Sequence, residues 1–170
     1  MPKIIPDVRA SLIRCAKAQL AAVGYSNMTV RSVAQAAGVG VGTVYNYFPS
    51  KDDLVAECML EDWGATLAAV SRAIEKDALP RSAVLVIYSA LTDFIKEHSG
   101  TLEDESAKRV FRNSFMDKHK LVRESVATVV RPIAKSEFGA RFFAEAIFAW
   151  IGERCEVDEL MPYLVHALEN

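Results

Sequence analysis

Apolar residues in this chain recur every three or four positions rather than every second one, the spacing of helices with one buried face. From about Asp7 to Val23, Leu12, Ala16 and Leu20 fall on one side at i, i+4 and i+8. Gly24 follows, a residue that accepts the left-handed conformation that stops a helix. Thr29 offers a hydroxyl to cap a second helix, in which Val30, Val33, Ala34 and Ala37 have core spacing and which Gly38 ends. A third, short helix is predicted from about Val41 to Phe48, with Pro49 breaking it. Ser50-Lys51-Asp52-Asp53 then has the Ser-x-x-acid form of a capping box and puts two carboxylates at the positive end of the helix dipole. The fourth helix runs on to about Asp77, and Gly64 within it costs about 1 kcal/mol relative to alanine without forbidding it.

Pro80 suits the first turn of a fifth helix that ends near Ser99-Gly100, and Thr101-Leu102-Glu103-Asp104 repeats the capping pattern for a sixth. A seventh helix is predicted from about Lys118 to Glu137 with a kink at Pro132. Gly139 separates it from an eighth, about Ala140 to Arg154, and Asp158 opens a ninth that runs nearly to the last residue. Strand-like alternation, internal repeats, low-complexity tracts and flexible linkers are all missing. The expected fold is all-α with about nine helices. A three-helix helix-turn-helix domain occupies residues 1–53, a helical domain occupies 54–170, and the fourth helix is a rigid bridge shared by both.

The composition is that of an ordinary globular protein: of 170 residues, 51% are hydrophobic and 25% charged. No run of eighteen apolar residues suggests a membrane span, and the first residues lack the apolar stretch of a signal peptide, so the expected location is the cytoplasm. The net charge of −2 conceals an asymmetry. Residues 1–51 carry six basic side chains against Asp7 alone, a net +5, whereas the remainder carries fourteen basic and twenty-one acidic residues, a net −7. A basic end on an acidic body suggests a polyanionic partner for that end.

Catalytic chemistry finds little support. Cys15, Cys58 and Cys155 stand far apart, as do His98, His119 and His166, so no metal-ligand cluster is formed and neither metal nor cofactor is expected. The run Gly38-Val39-Gly40-Val41-Gly42 lacks the G-x-G-x-x-G spacing of a nucleotide loop and follows no strand. Without a nucleophile–base pair, an enzyme is not expected. Glu103-Asp104-Glu105 reads as a solvated helix start.

The segment from Gly24 to Lys51 carries the function. Two short helices meet at a tight turn around Gly38, small Ala34 and Ala37 let them cross closely, and Val33, Val39, Val44 and Phe48 fill the angle between them. That is a helix-turn-helix, whose second helix enters the major groove of DNA. Thr43, Tyr45, Asn46 and Tyr47 supply hydroxyl and amide groups on that helix, and Lys51 begins the next. Spacing alone leaves alternatives open. Tyr45 is a contact or a core tyrosine, Arg31 a contact or a solvated charge, and Lys51 a phosphate ligand or a plain helix-start lysine.

These residues resemble the DNA-binding domain of the tetracycline-repressor (TetR/AcrR) family. The likeness lies in Gly24-Tyr25, Thr29-Val30-Arg31, Ala34, Ala37-Gly38-Val39, Gly42-Thr43-Val44-Tyr45, Tyr47-Phe48 and Ser50-Lys51-Asp52-Asp53-Leu54, and it extends back to Arg9 and Cys15-Ala16. It covers about a third of the chain and spans three helices and both turns. The resemblance implies that Thr29 and Arg31 meet the DNA backbone, with Arg31 in reach of a guanine edge. It implies that Val41, Gly42 and Asn46 face bases and that Thr43, Tyr45, Tyr47 and Lys51 hold phosphates. Two departures stand out: Gly40 where many relatives have serine, and Val41 where many have a polar or basic residue. Glycine still serves as an N-cap, and a valine can touch a thymine methyl.

The same resemblance implies a back domain that binds a small-molecule effector and dimerises. Met59, Trp63, Leu67 and Tyr88, with Leu91, Phe94, Phe111 and Phe115, lie on helices expected to surround an apolar pocket, although such stripes also serve as plain core. Phe142 and Ala146 join Phe143, Ile147, Trp150 and Ile151 in a broad apolar face. Leu160, Leu164 and Leu168 repeat every fourth residue. Paired across a two-fold axis these form a four-helix bundle, the alternative being burial within one subunit. The expected function is a repressor that binds a palindromic double-stranded operator as a homodimer and leaves it when the effector binds. The competing expectation is a helical ligand-binding protein with a vestigial DNA domain.

Overall fold

The computed structural model describes residues 7–102, 120–151 and 155–170. Phe111, Phe115, Glu103-Asp104-Glu105 and Arg154 lie outside the described residues. All the regular structure described is helical: α1 Val8–Asn27, α2 Val30–Ala37, α3 Val41–Tyr47, α4 Lys51–Lys76, α5 Pro80–Glu97 and α6 Ser99–Leu102, then α7 over residues 120–130, α8 Glu137–Ile151 and α9 Val157–Glu169. Among the described residues no helix is long and apolar enough to cross a membrane.

The chain divides into two compact units. In the described residues, one holds 7–62 with 98–102 and the other 63–97 with 120–170.

The first unit is built on α1, α2, α3, the start of α4, and α6. Leu12, Val33, Val44 and Leu54 are wholly buried, and Met28 and Phe48 nearly so. Each such side chain contributes about 1.5–3 kcal/mol through the area it removes from water. Gly24 has φ 75° and ψ 172°, a conformation open to glycine and little else, and it breaks the regular path of α1. The chain does not stop there, because Tyr25–Asn27 complete one further turn before Met28, whose amide bonds the Gly24 carbonyl at 3.2 Å. The helix end expected at Gly24 is therefore an internal break.

The second unit gathers the rest of α4 with α5, α7, α8 and α9 around Val84, Leu91, Phe143, Ile147, Leu164 and Leu168. Two sequence expectations are corrected here. Pro132 does not kink a helix running on to Glu137. α7 ends at residue 130, and the amides of Ile133 and Ala134 fold back onto the Val130 carbonyl at 3.0 and 3.1 Å. Proline lacks the amide that would extend the ladder and biases the residue before it away from helix, so the chain turns. Gly139 does not separate helices either, since it lies inside α8. A Cβ there would sit 2.2 Å from the Ala167 carbonyl oxygen, so glycine is needed for α8 to approach the backbone of α9.

Candidate nucleic-acid interface

The second and third helices owe their angle to two local devices. Thr29 caps α2: its hydroxyl accepts from the Ser32 amide at 3.0 Å, while Ser32 Oγ accepts from the Thr29 amide at 3.2 Å. Ser32 Oγ also donates to Gln19 Oε1 at 2.5 Å, which braces α2 against α1. At the other end Gly38 adopts φ 70° and ψ 30°. Its amide bonds the Gln35 carbonyl at 3.1 Å and the Val39 amide bonds the Ala34 carbonyl at 3.0 Å, the paired bonds of a Schellman turn. Gly40 opens α3 with no side-chain cap.

Within α3, Val44 is wholly buried, and Phe48 just beyond it is 2% exposed. These two apolar anchors fix which face points outward. On that face Val41, Gly42, Tyr45, Asn46 and Tyr47 are exposed and Thr43 is half-buried. Tyr45 is 51% exposed, so it is not a core tyrosine between helices. Thr29 and Arg31 are exposed at the start of α2. Cβ atoms built at Gly40 and Gly42 meet nothing closer than 3.9 Å, so packing does not require either glycine.

Lys51 stands at the first turn of α4. Its ammonium lies 4.0 Å from the ring centroid of Tyr25 and donates to the Tyr25 carbonyl at 2.5 Å. The Tyr25 hydroxyl donates to the Asp52 carboxylate. Ser50 caps the helix by accepting from the Asp53 amide at 3.1 Å and donating to the Asp53 carboxylate at 2.7 Å. The exposed ends of α2, α3 and α4 thus carry a basic group, hydroxyls and an amide, all on elements locked from behind. Gln19, Tyr25 and Asp52 are the supporting residues that hydrophobic spacing misses. Tyr25 follows the Gly24 break, where periodicity is lost, and a glutamine on a helix gives no positional signal.

Behind this face Arg9 pairs with Glu57 and lies 5.6 Å from the Phe48 ring centroid. Lys17 bridges Glu61 and Asp62, the latter at 2.7 Å, and the second Asp62 oxygen meets His98 Nε2 at 3.1 Å. Burial alone would depress the Lys17 ammonium, but its bonds to Asp62 and Glu61 outweigh that and hold its pKa above the usual lysine value. Each of these two basic side chains is paired with a carboxylate, which offsets its positive charge.

The residues expected in the pocket are distributed differently. Met59, Trp63 and Leu91 are buried, and Leu67, Tyr88 and Phe94 are half-buried. Trp63 donates to Ser125 Oγ at 3.0 Å and meets the Phe94 ring edge-on at 5.3 Å, while Tyr88 donates to the Cys155 carbonyl at 2.8 Å. Of the expected dimer residues, Phe143, Ile147, Leu160, Leu164 and Leu168 lie in the chain's own core, Ile151 is half-buried, and Trp150 is 50% exposed.

Residues 12–58 match the family model described as bacterial regulatory proteins, tetR family. The chain is 36% identical over 89 residues to the HTH-type transcriptional regulator BetI 2 of Chromohalobacter salexigens, a match covering 49% of this chain and 42% of that one. It therefore spans less than half the length of this curated relative. A TetR-family regulator from Mesorhizobium loti superposes with a TM-score of 0.57 at 16% identity, over 95% of this chain and 93% of that one. RolR, solved in complex with resorcinol, superposes with a TM-score of 0.55 at 18% identity, over 95% of this chain and 85% of that one. The solved structures carry the all-α fold, and the segment from Leu12 to Cys58 carries the motif. Residues 12–58 thus carry a domain of the tetR family of bacterial regulatory proteins.

Proposed function

We propose that this protein is a repressor that binds a palindromic operator as a homodimer and is released from it by a small-molecule effector. The observation that carries the reading is the division of α3: Val44 and Phe48 anchor it, while Val41, Gly42, Tyr45, Asn46 and Tyr47 face outward. Residues 1–53 serve as the DNA reader and 54–170 as the responding and dimerising part. Val41, Gly42 and Asn46 read bases. Thr29, Arg31, Thr43, Tyr45, Tyr47 and Lys51 hold phosphates and set the register, with Arg31 also in reach of a guanine. The protein acts in the cytoplasm and catalyses no reaction.

The homodimer is assigned to the exposed apolar side of α8 and α9. Phe138 is 78%, Phe142 51% and Tyr163 73% exposed, and the Phe138 and Phe142 rings stack at 6.1 Å. Large aromatic groups left in water at this density favour a covering partner, and a second copy supplies one with matching chemistry. In such a dimer two α3 helices enter successive major grooves about 34 Å apart. An effector that binds better to a state with the wrong spacing lowers DNA affinity by that difference alone. The likeness to RolR, solved with resorcinol, supports a fold able to hold a small ligand.

A mobility-shift assay on the DNA upstream of the protein's own gene tests the reading. A shift that survives excess unrelated duplex supports it. Ligand binding with no salt-sensitive duplex binding would favour the helical ligand-binding protein instead.

A further inference from the structure

One face of the second unit carries a groove between α4 and α5 of about 550 Å³. Its composition is specific. Ala69 and Ala90 leave the space, Val70 and Phe94 give an apolar floor and wall, and Asp93 and Glu97 stand along α5. The described residues lining it include no lysine, arginine or histidine.

The two carboxylates are placed against local helix energetics. Asp93 and Glu97 are four residues apart, so like charges face each other on neighbouring turns. Glu97 is the last residue of α5, where the dipole is itself negative and favours cations. Ser89 Oγ donates to Asp93 Oδ2 only at 3.4 Å, a long and weak bond that leaves the carboxylate's charge in place. Such a pair raises the negative potential over the groove. Phe94 adds an aromatic ring, held by its edge contact with Trp63 at 5.3 Å, whose indole is in turn tied to Ser125. Carboxylates beside an aromatic ring and an apolar floor suit a ligand with a cationic head and an apolar body.

We propose that this groove binds a small organic cation with an apolar or aromatic body, and that the effector belongs to this class. The second clause rests on the repressor reading; the first does not. Among the described residues of the sequence-expected pocket, Phe94 alone lines the groove, so the site is displaced toward the outer faces of α4 and α5.

Isothermal titration calorimetry with three ligands of equal size, phenylbutylammonium, phenylbutanol and phenylbutanoate, tests the binding clause on the full chain. The ammonium ion should bind at least about tenfold tighter than the alcohol, and the carboxylate should not bind. Asp93→Asn with Glu97→Gln should erase the preference for the ammonium ion while keeping the melting temperature, since the exchange relieves a like-charge pair. Ala69→Trp, which fills the groove without changing charge, should abolish binding of ammonium and alcohol alike. Equal affinity for ammonium and alcohol, a preference that survives the double substitution, or no ammonium binding at millimolar concentration overturns the site. The effector clause is read separately, by adding phenylbutylammonium to the protein–DNA complex. If the ion binds the groove but leaves DNA affinity unchanged, the site holds and the effector clause is overturned. If no duplex is bound at all, the repressor reading fails while calorimetry still decides the groove.

Discussion

The Lys51 ammonium rests on the face of Tyr25, 4.0 Å from the ring centroid, and donates to the carbonyl of the same residue at 2.5 Å. Tyr25 is itself buried and held by its hydroxyl to Asp52. The break at Gly24 matters because it swings Tyr25 under the start of α4. A lysine that would otherwise sample many rotamers is thereby held in one region, and a positioned charge loses less entropy when it meets a phosphate.

Removing that charge should act on every duplex alike. Lys51→Ala should weaken operator and unrelated DNA by similar factors and reduce the slope of log affinity against log salt by about 1. Tyr25→Leu should produce part of the same loss with the lysine still present, because the ring that holds it is gone. Fluorescence anisotropy titrations at several salt concentrations check both.

Asn46→Ala should instead change which sequences are preferred. Its amide is exposed on α3, where an adenine edge offers a matching donor and acceptor. Val41, 37% exposed on the same helix, should select a T·A pair through the thymine methyl. Replacing each operator base pair in turn tests both. No preference for T under Val41, or an unchanged profile for the Asn46 variant, removes that residue from the base-reading set.

Gly139→Ala should destabilise the second unit. The added methyl would stand 2.2 Å from a backbone oxygen of Ala167, which no side-chain rotation relieves. The expected loss is about 3 kcal/mol, read as a lower midpoint in urea at unchanged slope.

Phe142→Glu should give a monomer. The side chain is 51% exposed, so the fold should survive while the apolar cover is replaced by charge. Sedimentation velocity on wild type and variant reads this directly, and an unchanged dimer would move the interface elsewhere.

Cys58 should resist alkylation in the folded protein. Burial pushes its thiol up to about 12 from an ordinary 9.0, with nearby Lys17 opposing. Below pH 9 the thiol is protonated in both folded and unfolded chains. Between pH 9 and about 12 only the unfolded chain ionises it, so this group removes stability as pH rises through that window. Iodoacetamide at pH 8 should modify half-buried Cys15 before Cys58, as peptide mapping would show.

The sequence was most legible where one residue does one local job. Thr29, Gly38 and Ser50 each mark a helix end by their own chemistry, and all three act as such in the structure. It was least legible where the outcome depends on what lies opposite. Leu160, Leu164 and Leu168 repeat every fourth residue whether the facing helix belongs to this chain or to another, and here α8 of the same chain packs on α9. Gly139 looked like a helix end because its reason, the carbonyl of Ala167, lies 28 residues away in sequence. Pro132 carried its signal plainly, but whether it bends or ends a helix is decided by whether the freed carbonyls find other partners, as that of Val130 does. At the candidate interface Asn46 and Tyr47 could be read as displayed residues of α3, whereas spacing left Tyr45 open between surface and core and the structure half-buries Thr43. Their supports, Gln19 and Tyr25, act through long-range side-chain bonds that no local pattern announces.

Whether α3 reads a DNA sequence is decided by selection. Selecting duplexes from a randomised pool with the full-length protein, then comparing affinity for the enriched duplex and its scrambled version, measures this most directly. The enriched duplex should carry two inverted half-sites about one helical turn apart and be preferred at least about a thousandfold over the scrambled duplex. Enrichment of no sequence, or equal affinity for the two duplexes, would contradict sequence reading by α3.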